Sequence, residues 1–129
     1  MALSADVTSQ RFIAPAVDLV GGTAATIIPA VGRKWRTTRI DIQIKSVSGF
    51  VSVASLSVGS NSATFSNVMA IAALGTAAVV DAFVAQASLV ILDVAVDLTT
   101  SGLQLKIATP AVATSMTADV HVFGYFTQP

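Results

Sequence analysis

Apolar and polar side chains alternate with a period of two at three places in this chain. Ile40, Ile42 and Ile44 are interleaved with Asp41 and Gln43, and are flanked by Arg39 and Lys45. Met116, Ala118, Val120 and Val122 alternate with Thr117, Asp119 and His121. Leu103, Leu105 and Ile107 alternate with Gln104 and Lys106. A period of two puts each set on its own face of a pleated strand and cannot form a helix stripe. Each segment therefore predicts a strand with one buried and one wet face.

The rest of the chain reads as further short strands between turn residues. A first strand over 11–20 is interrupted by Pro15, which fits an edge position. Gly21 and Gly22 turn it, and a second strand over 23–28 stops at Pro29 and Gly32. The long strand covers 35–47, and Ser48 and Gly49 turn the chain. In the return over 50–58 the apolar face switches at Ala54 and Ser55, which predicts a bulge or a crossing from one sheet to another. Strands over 79–84, 89–98, 102–108 and 115–126 complete the set. The Ala-rich stretch 67–74, with Asn67 as a cap and Gly75 as a stop, predicts one short helical turn. The fold class expected is all-β, an antiparallel β-sandwich of jelly-roll-like type with about eight strands. Residues 1–10 read as an extended N-terminal arm, and 11–129 as a single domain.

Composition strengthens the β reading and adds a partner. All seven acids are Asp and Glu is absent, while Val, Ile and Thr are abundant. Apolar residues make up 53% of the 129 before Gly is counted. Typical domains reach about 45–50% with Gly included. A domain this small has little interior in which to hide the surplus, so part of it is expected to meet another chain. There is no Cys, which excludes disulfides and thiolate metal sites. Formal net charge is zero, which argues against nucleic acid and anionic membranes as partners. No charge occurs from 46 to 80, yet Gly75 and Thr76 interrupt the densest apolar part and Asp81 ends it. A membrane span is therefore not expected. The first residues lack the basic region of a secretory signal.

Candidate chemistry is sparse. His121 and Asp119 share a strand face, and a solvated pair is the expected reading over a metal or acid–base site. Asp93 and Asp97, with Asp81 before them, lack the spacing of a calcium loop, and acids on an outer face also restrain edge aggregation. Arg33, Lys34, Arg36, Arg39 and Lys45 cluster around Trp35. A solvated strand face is the first reading and a subunit contact the second; nucleic acid ranks last, because stacking aromatics are lacking. No phosphate loop and no Gly-x-Ser-x-Gly motif is present. The expectation is a protein that is not an enzyme and carries no cofactor and no metal. The cluster Phe123, Gly124, Tyr125 and Phe126 either caps the core, the preferred reading, or offers an apolar end to a neighbour.

Three stretches together resemble a known group. Ile28, Pro29, Gly32, Arg33 and Trp35 form an apolar-Pro-x-x-Gly-Arg-x-aromatic lead-in to a long strand. Gly59, Ser60 and Asn61 follow a strand in a turn, with Phe65 and Asn67 beyond. Thr117 to Tyr125 is a closing strand ending in Gly-Tyr. This combination resembles the small jelly-roll or β-sandwich proteins of tailed bacteriophages, in particular capsid decoration or cement proteins. The resemblance implies a virion structural protein on the capsid exterior, made in the host cytoplasm. Its implied partners are itself, as a homotrimer, and the major capsid protein. Leu3, Val7, Phe12, Arg33, Trp35 and Phe126 are the expected subunit or capsid contacts. The alternative is a receptor- or carbohydrate-binding module of a head fibre or tail, with the 59–67 loop and its Asn61, Phe65 and Asn67 as the site.

Overall fold

The computed structural model describes residues 9–21, 25–60, 66–75, 78–84 and 89–127. They form nine strands: β1 (Gln10–Asp18), β2 (Ala25–Ile28), β3 (Lys34–Ser48), β4 (Ser55–Ser60), β5 (Met69–Ala73), β6 (Ala82–Phe83), β7 (Ala95–Asp97), β8 (Leu103–Thr109) and β9 (Ser115–Thr127). One sheet has the order β1-β9-β3-β6, with β7 also paired to β3; the other has the order β2-β8-β4-β5. All pairs are antiparallel. Consecutive strands mostly lie in different sheets, which gives the all-β, two-sheet antiparallel sandwich expected from the alternation.

The three patterned segments became the inner walls of this sandwich. Ile40, Ile42 and Ile44 of β3 and Met116, Ala118, Val120 and Val122 of β9 point inward and are buried. They face Leu103, Leu105 and Ile107 of β8 and Leu56 and Val58 of β4, which are buried too. Fully burying each large aliphatic side chain is worth about 1.5–3 kcal/mol, so the two inner faces hold the sheets together. β3 carries a phase change that simple alternation hides. Thr37 pairs with Gly124 and Arg39 with Phe123, so Thr38 is an extra residue. The bulge lets Trp35 and Thr37 face inward on odd numbers, while Ile40, Ile42 and Ile44 do so on even ones.

β1 is an edge strand, as Pro15 required, and it too is bulged. Ala14 pairs with Val120 and Val17 with Ala118, leaving Pro15 and Ala16 opposite Asp119. Ala16 is in the left-handed region, with φ 50°. Its N–H donates to Asp119 Oδ1 at 2.9 Å, so this carboxylate caps the bulge. Asp119→Ala is expected to cost about 1 kcal/mol in urea unfolding, the net value of one such bond. Adding Ala16→Gly to that variant should recover part of the loss, because Gly adopts the left-handed conformation without the Cβ clash.

Two expectations are corrected. Residues 67–74 hold no helical turn: they contain β5, on the edge of the second sheet. Val68 N donates to Val58 O and Leu74 N to Ala54 O, both at 3.0 Å. Pairing with β4 satisfies this backbone and buries Met69, and it outweighs the helix preference of the Ala run. The 89–98 segment narrows to β7, preceded by one bridge from Ile91 to Met69. The face switch at Ala54 and Ser55 is where the chain crosses from β3 in one sheet to β4 in the other. No described helix is long and apolar enough to cross a membrane.

Candidate functional site

The outer face of the first sheet carries the charged and aromatic side chains that the core excludes. Cross-strand register builds it in rows. Arg11 of β1 and Arg39 of β3 flank Phe123 of β9. The Arg39 guanidinium lies 4.2 Å from the centre of the Phe123 ring. It also pairs with Asp41 at 2.8 Å. In the next row Ile13 and Asp41 flank His121. Asp81 receives Gln43 Nε2 at 3.1 Å and Lys45 Nζ at 3.5 Å. These exposed pairs contribute about 0–1 kcal/mol each, so they order the surface more than they stabilise the fold.

Two grooves open on this face. One, of about 310 Å³, is lined by Arg11, Asp41, Gln43, Phe83, His121 and Phe123. Phe83, on the two-residue strand β6, is 61% exposed there. The other, of about 620 Å³, lies between Arg36, Thr38 and Tyr125 on the sheet and residues 89–93. Arg36 reaches Asp93 loosely: Nη1 to Oδ1 at 3.4 Å and Nη2 to the carbonyl O at 3.5 Å. Its Nε–H is buried and has no acceptor. Both grooves offer stacking, ion pairing and hydrogen bonding. Within the first, the Asp41 carboxylate opposite His121 is already held by Arg39. Among the described residues no group of three or more His, Asp or Glu side chains is placed to hold a metal.

An apolar flank adjoins these grooves. Val79, Val80, Phe83, Val90, Leu92 and Val94 are exposed around β6 and β7, and Ile71 on the β5 edge. The Met69–Ile91 bridge and the Leu92 N to Val68 O bond at 2.7 Å join these edges on one side of the sandwich. Seven of the eleven large apolar side chains exposed among the described residues therefore lie on or beside β5, β6 and β7, while Ile13, Val31, Val51 and Val112 are exposed elsewhere.

The residues expected to make contacts are placed differently from one another. Leu3 and Val7 lie outside the described residues. Trp35 and Phe126 are inside, at 0% and 8% exposure, in a cluster of edge-to-face rings with Phe12. Arg33 stacks over Phe126 at 5.0 Å. Of these four, the half-buried Phe12 and Arg33 present surface and Trp35 and Phe126 do not. Phe126 thus caps the core, while Phe123 and Tyr125 face outward by alternation. In the 59–67 loop, 61–65 lies outside the described residues. Asn67 is occupied: its Oδ1 accepts Ser60 N–H at 2.9 Å and its Nδ2 donates to Ser60 Oγ at 3.0 Å. Neither groove was legible beforehand, because each is assembled from strands far apart in the chain.

Asp97, one of the acids noted in the sequence, is a local cap. Its Oδ1 accepts from the Thr99 hydroxyl and from Thr99 N–H, the latter at 2.8 Å. The Thr99 hydroxyl first and then its backbone N–H hold the Asp97 carboxyl below the usual carboxylate range; desolvation opposes them, and Lys34 adds the smallest contribution. A depressed folded value means that the contribution to stability is present above the unfolded pKa and fades as pH falls through the folded one. NMR titration of the Asp97 carboxyl should give a low midpoint, and Thr99→Val should move it upward.

No family model and no curated protein matches the chain. Among solved structures, a chain of the cyanophage Pam1 capsid asymmetric unit is similar. The TM-score is 0.58 at 13% identity, covering 95% of this chain and 87% of that one. At that identity the likeness is one of fold.

Proposed function

We propose that this protein is a virion structural protein: a capsid decoration or cement protein that binds the outer surface of a major capsid shell and stabilises it. The observation that carries the reading is the fold-level likeness to a capsid chain along 95% of the sequence. The exposed apolar side chains around β5, β6 and β7 support it, since apolar surface left in water favours association. Burial of apolar area at about 25 cal/mol per Å² supplies the drive, and repetition over a shell adds avidity. In this reading the chain works as a homotrimer on the capsid exterior, without catalysis or cofactor.

Light scattering across a range of concentrations tests the assembly. A stable trimer that then binds undecorated shells and raises their melting temperature is the expected result. A monomer that leaves shells unbound and unprotected overturns the proposal. A second reading, carbohydrate recognition, is favoured by the groove that sets exposed Phe83 beside Arg11, Asp41 and His121. Binding on a glycan array that is lost in Phe83→Ala would move it ahead.

A further inference from the structure

Each described acid of this chain is engaged. Asp41 pairs with Arg39, Asp81 with Lys45 and Asp93 with Arg36. Asp18, Asp97 and Asp119 accept backbone N–H groups. Arg11, Arg33 and Lys34 form no ion pair among the described residues. Arg33 nonetheless lies over the Phe126 ring, and Lys34 sits opposite Asp97 in the β3–β7 register. Arg11 has neither kind of neighbour. It is exposed on the edge strand β1 and opens onto the groove of about 310 Å³.

That groove has an exposed rim and a half-buried floor. Arg11 and Phe83 form the rim, on β1 and β6. Asp41 and Gln43 of β3 and His121 and Phe123 of β9 form the floor. β1 and β6 are three strand spacings apart, about 14 Å, which suits a small ligand that touches both. The floor is rich in acceptors. Asp41 gives Oδ2 to Arg39 and keeps Oδ1, while Gln43 donates Nε2 to Asp81 and keeps Oε1. His121 makes no side-chain hydrogen bond among the described residues, and a neutral imidazole can donate and accept. The exposed Phe83 ring has a negative face, which suits the C–H face of a pyranose. A guanidinium fork fits a carboxylate. An Asp or Glu side chain of a protein partner would satisfy Arg11, but it has no donor for Asp41 or Gln43 and no ring for Phe83. A sugar acid has all three.

We propose that this groove binds an acidic saccharide of the uronate type: its carboxylate pairs with Arg11, its ring face lies on Phe83, and its hydroxyls donate to Asp41 and Gln43. This deepens the carbohydrate reading, on which it rests, by giving the sugar a charge. Arg11 selects the acid and Phe83 selects the ring.

The test is an NMR titration of the full-length chain with three probes: a glucuronate-containing disaccharide, its neutral glucose counterpart, and an end-capped Gly-Asp-Gly peptide. The acidic disaccharide should shift the signals of Arg11, Phe83 and His121 and bind about tenfold or more tightly than the neutral one, the factor given by about 1.4 kcal/mol. Arg11→Gln, at an exposed and unpaired position, should leave the fold intact and abolish that preference. Phe83→Ala should weaken both disaccharides. Equal binding of the two disaccharides overturns the acidic class and leaves carbohydrate recognition standing. A preference that survives Arg11→Gln also overturns the proposal, because the carboxylate then sits elsewhere. If the peptide alone binds, the groove takes an acidic protein segment, and both the proposal and the carbohydrate reading fail. Both fail likewise if no probe binds.

Discussion

Trp35→Ala is expected to remove about 3–5 kcal/mol of stability, the range for deleting a fully buried large aromatic. Trp35 is 0% exposed, and its ring meets Phe126 at 5.0 Å and Phe12 at 5.5 Å. Its Nε1–H donates to Thr37 Oγ1 at 2.8 Å, and Thr37 is itself buried. The truncation leaves a void between three strands and removes the partner of a buried hydroxyl. Because whole domains are stable by only about 5–15 kcal/mol, the variant should be partly unfolded at moderate temperature. Trp35→Phe keeps an edge-to-face contact and loses the N–H, so its cost should be well under half as large. Urea unfolding followed by circular dichroism measures both; fluorescence cannot, since Trp35 is the only Trp. A loss below about 1 kcal/mol for the Ala variant would contradict the buried cluster.

The second large effect is expected from adding one carbon at Gly124. A Cβ there would collide with the Arg36 carbonyl oxygen and lie 2.7 Å from Trp35 Cζ2. β9 cannot step aside, because β1 holds one edge and β3 the other. Gly124→Ala should therefore cost about 1–3 kcal/mol or more. The two clashes can be separated. In a Trp35→Leu background the ring clash is relieved while the backbone clash remains, so the double variant should be more stable than the sum of the single effects predicts. Full additivity would mean that the ring does not rest on Gly124.

The inward sets Ile40, Ile42, Ile44 and Met116 to Val122 were legible in the sequence because each strand has one wet face, and wetness is written in residue type. The crossing between sheets at Ala54 and Ser55 was legible for the same reason. The 67–74 stretch was not. Ala carries little strand signal, and the strand there is specified by the unpaired edge of β4, which no local pattern encodes. Thr38 hides a phase change because one inserted residue looks like noise in an alternation. The candidate grooves were invisible because Arg11, Asp41, Phe83 and His121 come from four separate strands. Trp35 reads as a surface anchor among five cations, and the bulge at Thr38 turns it inward instead.

The pairing order of the strands bears on how the chain reaches this state. Of the neighbouring pairs in the two sheets, β4–β5 alone joins strands consecutive in the chain. The β1–β9 edge closes almost the whole length, as the Ala16 to Asp119 bond across 103 positions illustrates. Loop-closure entropy must be met before such contacts stabilise anything, which puts folding in the milliseconds-to-seconds class of β-sandwiches. During that interval the charge-free edge at β5 is open to strands of other molecules. Yield on expression should therefore depend on chain concentration and temperature during synthesis more steeply than on the stability of the finished sandwich.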